Sequence, residues 1–183
     1  MTALLRFENV NLRRGGRLLF EGLSLKLGPG ERLQIAGPNG SGKSSLIRLA
    51  AGLLQPERGT VHRTRLALAD DAVALDRELP LARALGFWSD GIDEAMEVLD
   101  LAQLARVPVR LLSSGQLKRA TLARVFAASA PLWLLDEPLN ALDTNAAERL
   151  SRRIDQHLKS GGAVLAASHQ PLAGEWPLME LAA

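Results

Sequence analysis

Cysteine is absent from the 183 residues, and so is tyrosine. The first absence excludes disulfides and thiolate metal centres and is compatible with a reducing compartment. The second leaves aromatic residues at 4%. Runs of Lys and Arg with interleaved rings, the pattern of a nucleic-acid surface, are missing. Charge of one sign is missing too, because 22 Lys and Arg against 20 Asp and Glu leave a formal +2. No apolar run is long enough to span a bilayer: the longest, residues 122–135, is broken by Arg124 and Pro131. A role at a membrane therefore needs another chain to supply the span. Residues 1–8 carry an acid early and no long apolar core, so no signal peptide is expected there. Repeats, low-complexity tracts and interdomain linkers are also lacking. With 47% apolar residues, the chain has the means to bury one sound core, and a single domain over 1–183 is expected.

The stretch richest in information is residues 37–44, G-P-N-G-S-G-K-S, which fits the phosphate-loop pattern G-x-x-x-x-G-K-[S/T]. Gly37, Gly40 and Gly42 permit backbone angles that a side chain forbids, so successive N–H groups can turn inward. With Pro38, Asn39, Ser41 and Ser45 they form a cradle at the start of a helix, whose positive end favours anions. Lys43 brings a point charge to the β- and γ-phosphates, and Ser44 offers a hydroxyl to Mg2+. Residues 32–36 (R-L-Q-I-A) read as a strand entering the loop, and residues 45–51 as a helix leaving it. Strand, loop and helix in succession are the context this motif requires. The loop alone leaves the base of the nucleotide open.

Around it the chain reads as α/β. Residues 4–12 and 18–27 tend to alternate and form two strands joined by the turn Arg13-Arg14-Gly15-Gly16-Arg17, an antiparallel sheet leading into a parallel core. Gly52 is the stop of the loop helix. Residues 60–61 and 66–69 are short strands, residues 80–88 and 92–101 are helices, and residues 117–128 are a helix rich in Ala and Leu. Residues 131–137 (P-L-W-L-L-D-E) and 163–167 (A-V-L-A-A) have the unbroken apolar character of parallel strands buried on both faces. The amphipathic segment 146–159 crosses between them. The tail, residues 171–183, is expected to be a loose cover. Asp90, Asp93, Glu94, Glu97 and Asp100 read as a solvated helix face, and His62 and His157 as surface residues.

Asp136 and Glu137 close the first buried strand. Ligands of open parallel sheets bind beyond the carboxyl ends of the strands, so both acids face the nucleotide held by the loop. Asp136 is expected to hold the metal ion, and Glu137 to polarise the attacking water as general base. His169 follows the second buried strand at the same edge, within reach of the γ-phosphate. Ser113 or Ser114, in L-S-S-G-Q, caps the helix that follows.

Phosphate loop, L-S-S-G-Q, L-W-L-L-D-E-P, L-N-A-L-D and Ser168-His169, in this order over nearly the whole chain, resemble the ATP-binding cassette ATPases. The resemblance implies a P-loop NTPase fold with a mixed, largely parallel sheet core, an antiparallel N-terminal β subdomain and a small helical subdomain, here about residues 72–128, inserted in the core. It implies ATP and Mg2+, and catalysis by Glu137 and His169 with Lys43. It also implies a second copy of the chain, whose Ser113, Gly115 and Gln116 act in trans on the γ-phosphate while Asp143 couples the two sites. The short length, Ser168-His169-Gln170-Pro171-Leu172 and Leu18-Phe20-Gly22-Leu23 look like the ATP-binding subunit of the haem-exporting cytochrome c maturation complex. That likeness implies membrane-spanning partner subunits and a peripheral place on the cytoplasmic face of the bacterial inner membrane. Another small transporter and a non-transport regulatory ATPase are the alternatives. Two features depart from the family. Arg13 or Arg14 stands where an adenine-stacking ring is usual, and the metal-contacting Gln after an early strand is replaced by the segment holding Asp70 and Asp71.

Overall fold

The computed structural model describes residues 2–70, 72, 75–89 and 91–181. Two sheets organise it. In the first, β1 (Leu5–Arg14) pairs antiparallel with β2 (Arg17–Leu27) and β4 (Arg58–Arg63). The β1–β2 hairpin closes on Gly15 and Gly16, at φ 55° and 78°, as a two-residue turn matched to strand twist requires. The second sheet has the order β5-β6-β7-β3-β8, with every pair parallel. Its strands are β3 (Arg32–Ala36), β5 (Leu66–Ala69), β6 (Leu132–Asp136), β7 (Ala163–Ala167) and β8 (Leu178–Glu180).

Strands β6 and β7 are buried along their whole length, as two-sided cover demands. Successive β6 side chains serve opposite faces. Leu132 and Leu134 join a core with Leu5, Phe7, Ile35, Leu46 and Ile47. Trp133 and Leu135 join a second core with Leu81, Leu99, Leu122, Leu150 and Ile154. The first core is enclosed by the antiparallel sheet and α1 (Lys43–Ala51), which Gly52 ends in the left-handed conformation, φ 80°. The second is covered by α2 (Leu81–Gly86), α3 (Ile92–Val98), α4 (Ser114–Ala127) and α5 (Thr144–Lys159). Among the acids read as a solvated face, Asp93, Glu94, Glu97 and Asp100 are exposed, whereas Asp90 lies outside the described residues.

Two expectations fail. The tail is not a loose cover: β8 pairs with β3, Leu181 N–H donates to the Ala36 carbonyl at 2.9 Å, and Leu181 is buried. Only three residues long, with exposed Leu178 and Glu180, this edge strand has no apolar periodicity to announce it. His157 is not a surface residue. Its ring stacks on Trp133, 3.9 Å between centroids and 7° between planes, and Trp133 stacks in turn on Phe126. Burial pushes the His157 pKa below its ordinary 6.5, the Arg153 charge acts in the same direction, and hydrogen bonding at the Pro131 and Ala163 backbone opposes both.

A depressed imidazole pKa means that the unfolded chain binds the proton more tightly. His157 therefore contributes stability above pH 6.5 that is lost as pH falls through its lowered folded value. We expect the urea midpoint of the wild-type chain to drop between about pH 7.5 and about pH 5.5 by more than that of His157→Phe, which keeps the stack without a titrating group. Equal drops would contradict this account of the stack.

Candidate functional site

The carboxyl ends of β3, β6 and β7 meet at one edge because their registers align. Ile35 and Asp136 both pair with Ala167. The next residues along each strand are Ala36 and Gly37, then Glu137, then Ser168 and His169, so the three candidate segments leave the sheet side by side.

The loop after β3 has the predicted backbone. Gly37, Gly40 and Gly42 stand at φ 143°, 82° and 100°, a region L side chains rarely adopt. A Cβ on Gly37 would lie 2.6 Å from the Leu181 carbonyl oxygen and 2.8 Å from Ser41 Oγ, so this glycine is also required by β8 at its back. The Lys43 ammonium is buried and donates to the carbonyls of Gly37 and Pro38 at 2.7 and 3.0 Å, curling the side chain over its own loop. Ser41 Oγ is buried without a hydrogen-bond partner. Pro38, Asn39 and Gly40 are exposed at the loop tip.

Ser44 Oγ donates to Asp136 Oδ1 at 3.1 Å. One hydroxyl and one carboxylate make a hard oxygen pair. That suits Mg2+, which keeps several waters and takes its remaining oxygens from phosphates. No cluster of three or more His, Cys, Asp or Glu able to cage a metal occurs among the described residues, so a dedicated all-protein metal cage is not what this edge offers. Glu137 takes φ 45°, a strained angle for a non-glycine residue. Its carboxylate meets His169 Nδ1 at 2.7 Å, with 15% of the Glu137 side chain and 46% of that of His169 exposed. A carboxylate only accepts, so Nδ1 carries the donated hydrogen. On the other side of the ring, Gln170 Nε2 lies 3.3 Å from His169 Nε2.

Ser113, not Ser114, caps α4. Ser113 Oγ accepts from Gln116 N–H at 3.3 Å, and Gln116 Oε1 accepts from Ser113 N–H at 2.8 Å, a reciprocal capping box worth about 1 kcal/mol. Gly115 is fixed by a close approach: a Cβ there would lie 2.7 Å from the Ala141 carbonyl oxygen. Ala141 sits at φ 60° in the turn before α5, and Asp143 Oδ1 caps α5 by accepting from Ala146 N–H at 2.8 Å. Two residues escaped the sequence reading. Buried Lys118 donates to the Asp136 carbonyl at 2.9 Å, tying α4 to the end of β6. Gln34 is buried in the middle of β3. For Gln34 the available signal was a polar residue between apolar neighbours, whereas Lys118, beside Arg119 in a helix of mixed polarity, offered none.

On the base side, Arg14 and Arg13 separate. Arg14 Nη1 donates to Ser45 Oγ at 3.4 Å and lines a groove of about 280 Å³ with Leu19, Gly40, Gly42, Lys43 and Ser44. Arg13 turns away to Glu57 at 3.7 Å and the Gly16 carbonyl at 3.2 Å. Asp70 is buried near Arg124, whose pKa is lowered by burial and raised by Asp70. Asp71 lies outside the described residues.

A glycine cradle after β3, paired acids ending β6 and a histidine after β7 define a nucleotide-hydrolysing P-loop protein of the cassette type. The ABC transporter family model matches residues 20–140, and the chain belongs to that family as an ATP-binding cassette ATPase. The same fold is seen in the ATP-binding subunit of an ABC transporter, with a TM-score of 0.83 at 23% identity over 91% of this chain and 79% of that one. A nucleotide-free ATP-binding cassette superposes with a TM-score of 0.76 at 20% identity, covering 92% of this chain and 82% of that one. Its curated relatives are more specific. The protein named cytochrome c biogenesis ATP-binding export protein CcmA in Sphingopyxis alaskensis is 55% identical, covering 94% of this chain and 93% of the relative. The protein of that name in Zymomonas mobilis is 50% identical, covering 93% and 80%.

Proposed function

We propose that this chain is the ATP-hydrolysing subunit of a membrane complex that exports or releases haem for c-type cytochrome maturation. The observation that carries the reading is the end-to-end similarity to cytochrome c biogenesis ATP-binding export proteins, 55% identical over 94% of this chain. In this reading the chain sits peripherally on membrane-spanning subunits at the cytoplasmic face of the bacterial inner membrane. No helix among the described residues is long and apolar enough to cross a membrane.

The phosphates of ATP rest on the N–H groups of Asn39, Gly40, Ser41, Gly42, Lys43, Ser44 and Ser45, with Gly37 and Pro38 shaping the entry. Lys43 supplies its charge to the β- and γ-phosphates. Ser44 and Asp136 hold Mg2+, which when bound neutralises phosphate charge. Glu137 takes the proton of the attacking water. His169, hydrogen-bonded to Glu137 at 2.7 Å, holds that carboxylate in place and faces the γ-phosphate. Residues 72–128 form the helical subdomain of a single domain. From a second copy, Ser113, Gly115 and Gln116 close on the γ-phosphate, and Asp143 links the two sites.

Two outcomes follow. Glu137→Gln is expected to bind ATP as the wild type does and to hydrolyse it more slowly by on the order of 10²- to 10⁴-fold. Full turnover by that variant removes Glu137 from the role of base. In the source organism, deletion of the gene is expected to abolish covalent haem staining of c-type cytochromes. Normal staining would overturn the haem assignment and leave the ATPase reading intact.

A further inference from the structure

Gln34 is an anomaly in β3. It lies between Leu33 and Ile35, is 3% exposed, and stands three residues before the phosphate loop. Parallel strands covered on both faces are ordinarily apolar throughout, and a buried carboxamide is costly unless its hydrogen-bonding groups are used. Here they are used on a single target. Gln34 Nε2 donates to the Gln170 carbonyl at 2.9 Å and to the Ser168 carbonyl at 3.4 Å. Gln34 Oε1 accepts from Leu172 N–H at 3.3 Å. Both amide hydrogens and one lone pair therefore grip the turn that carries His169, across 134 to 138 residues of sequence.

The same turn has a second, internal brace. Ser168 is fully buried, and its Oγ donates to the Gln170 carbonyl at 2.8 Å and accepts from Gln170 N–H at 3.1 Å. The internal brace sets the shape of the turn. The bonds to Gln34, together with Ser168 N–H donating to the Ile35 carbonyl at 3.1 Å, set where the turn sits relative to the phosphate-loop strand. His169 and Gln170 are exposed on this turn, and the His169 imidazole meets Glu137.

We propose that Gln34 is a positioning residue for hydrolysis: it locks the His169 turn to the phosphate-loop strand, so that His169 and the cradle keep one fixed separation. This rests on the reading of His169 as a participant in hydrolysis. Without the carboxamide, the Ser168 carbonyl and the Leu172 N–H lose a partner in a buried setting, while the Gln170 carbonyl keeps its bond from Ser168 Oγ. The turn then relaxes around its Ser168 brace, and the imidazole shifts relative to Glu137. A displacement of about an ångström at a catalytic group costs up to about a hundredfold in rate. The loop glycines and Lys43 do not touch the Gln34 side chain through any hydrogen bond among the described residues, so ATP binding is left in place.

The test is a double-mutant cycle on the full chain, with Gln34→Met, the milder Gln34→Asn, His169→Ala and the two double variants. We expect Gln34→Met to lower kcat on the order of tenfold or more, with the KM for ATP unchanged. Gln34→Asn, with the shorter reach, should fall between it and wild type. In the His169→Ala background neither Gln34 variant should lower kcat further, because the group being positioned is gone. A purely structural role predicts losses that multiply with that of His169→Ala, and that result overturns the inference. If Gln34→Met does not fold, Gln34→Asn carries the same comparison. Full turnover of both Gln34 variants beside a slow His169→Ala overturns the inference alone. Full turnover of His169→Ala overturns the reading of His169 and the inference with it.

Discussion

The site depends on the register of three parallel strands. Ile35, Ala167 and Asp136 form one row across β3, β7 and β6, so the three loops that follow begin level with one another. A slip of one residue in β6 would move every side chain to the opposite core, setting Trp133 where a leucine packs and carrying Asp136 away from Ser44. The packing that holds the sheet together therefore also places Asp136 beside Ser44 and Glu137 beside His169. The geometry of this edge is a by-product of core packing on both faces of β6 and β7.

Each loop is then held a second time from behind. Lys118 ties the carbonyl of Asp136 to α4, Gln34 ties the His169 turn to β3, and the Leu181 carbonyl, just after β8, packs against Gly37. The Lys118–Asp136 and Gln34–Leu172 bonds are buried, where an unmade hydrogen bond costs more than a made one contributes. The edge is thus rigid at its root, while the loop tip at Pro38, Asn39 and Gly40 and the residues Ser113 and Ser114 stay exposed. Rigid roots and exposed tips suit two half-sites that meet a ligand between them. The Gly115–Ala141 approach adds a link within one chain between the start of α4 and the turn leading to Asp143.

Much of this was legible in the sequence because the relevant signals are local. Glycine spacing marked the loop, unbroken apolar runs marked β6 and β7, and L-S-S-G-Q marked a capped helix, which the capping box of Ser113 and Gln116 bears out. What escaped was non-local. Stacking of His157 on Trp133 requires α5 to cross back over β6, and nothing next to position 157 announces that ring. Pairing of β8 with β3 joins residues more than a hundred positions apart through a three-residue strand. Gln34 was visible as a polar residue between apolar neighbours and Lys118 was not, and the partners of both, the turn after β7 and the Asp136 carbonyl, are set only by the fold. The hairpin turns Arg14 toward Ser45 and Arg13 toward Glu57, a divergence that the adjacent positions do not announce.

We propose that the loop at Asn39 and the α4 start at Ser114 are halves of one site completed by two copies of the chain. With no native cysteine, introduced thiols report on this without background. One population carries Asn39→Cys and another Ser114→Cys, both in the Glu137→Gln background, and the mixture is treated with a short bifunctional thiol reagent. A covalent heterodimer is expected to form with ATP and Mg2+ and to be absent without nucleotide. Failure of ATP to produce that cross-link, or its formation within single chains carrying both substitutions, would contradict this proposal.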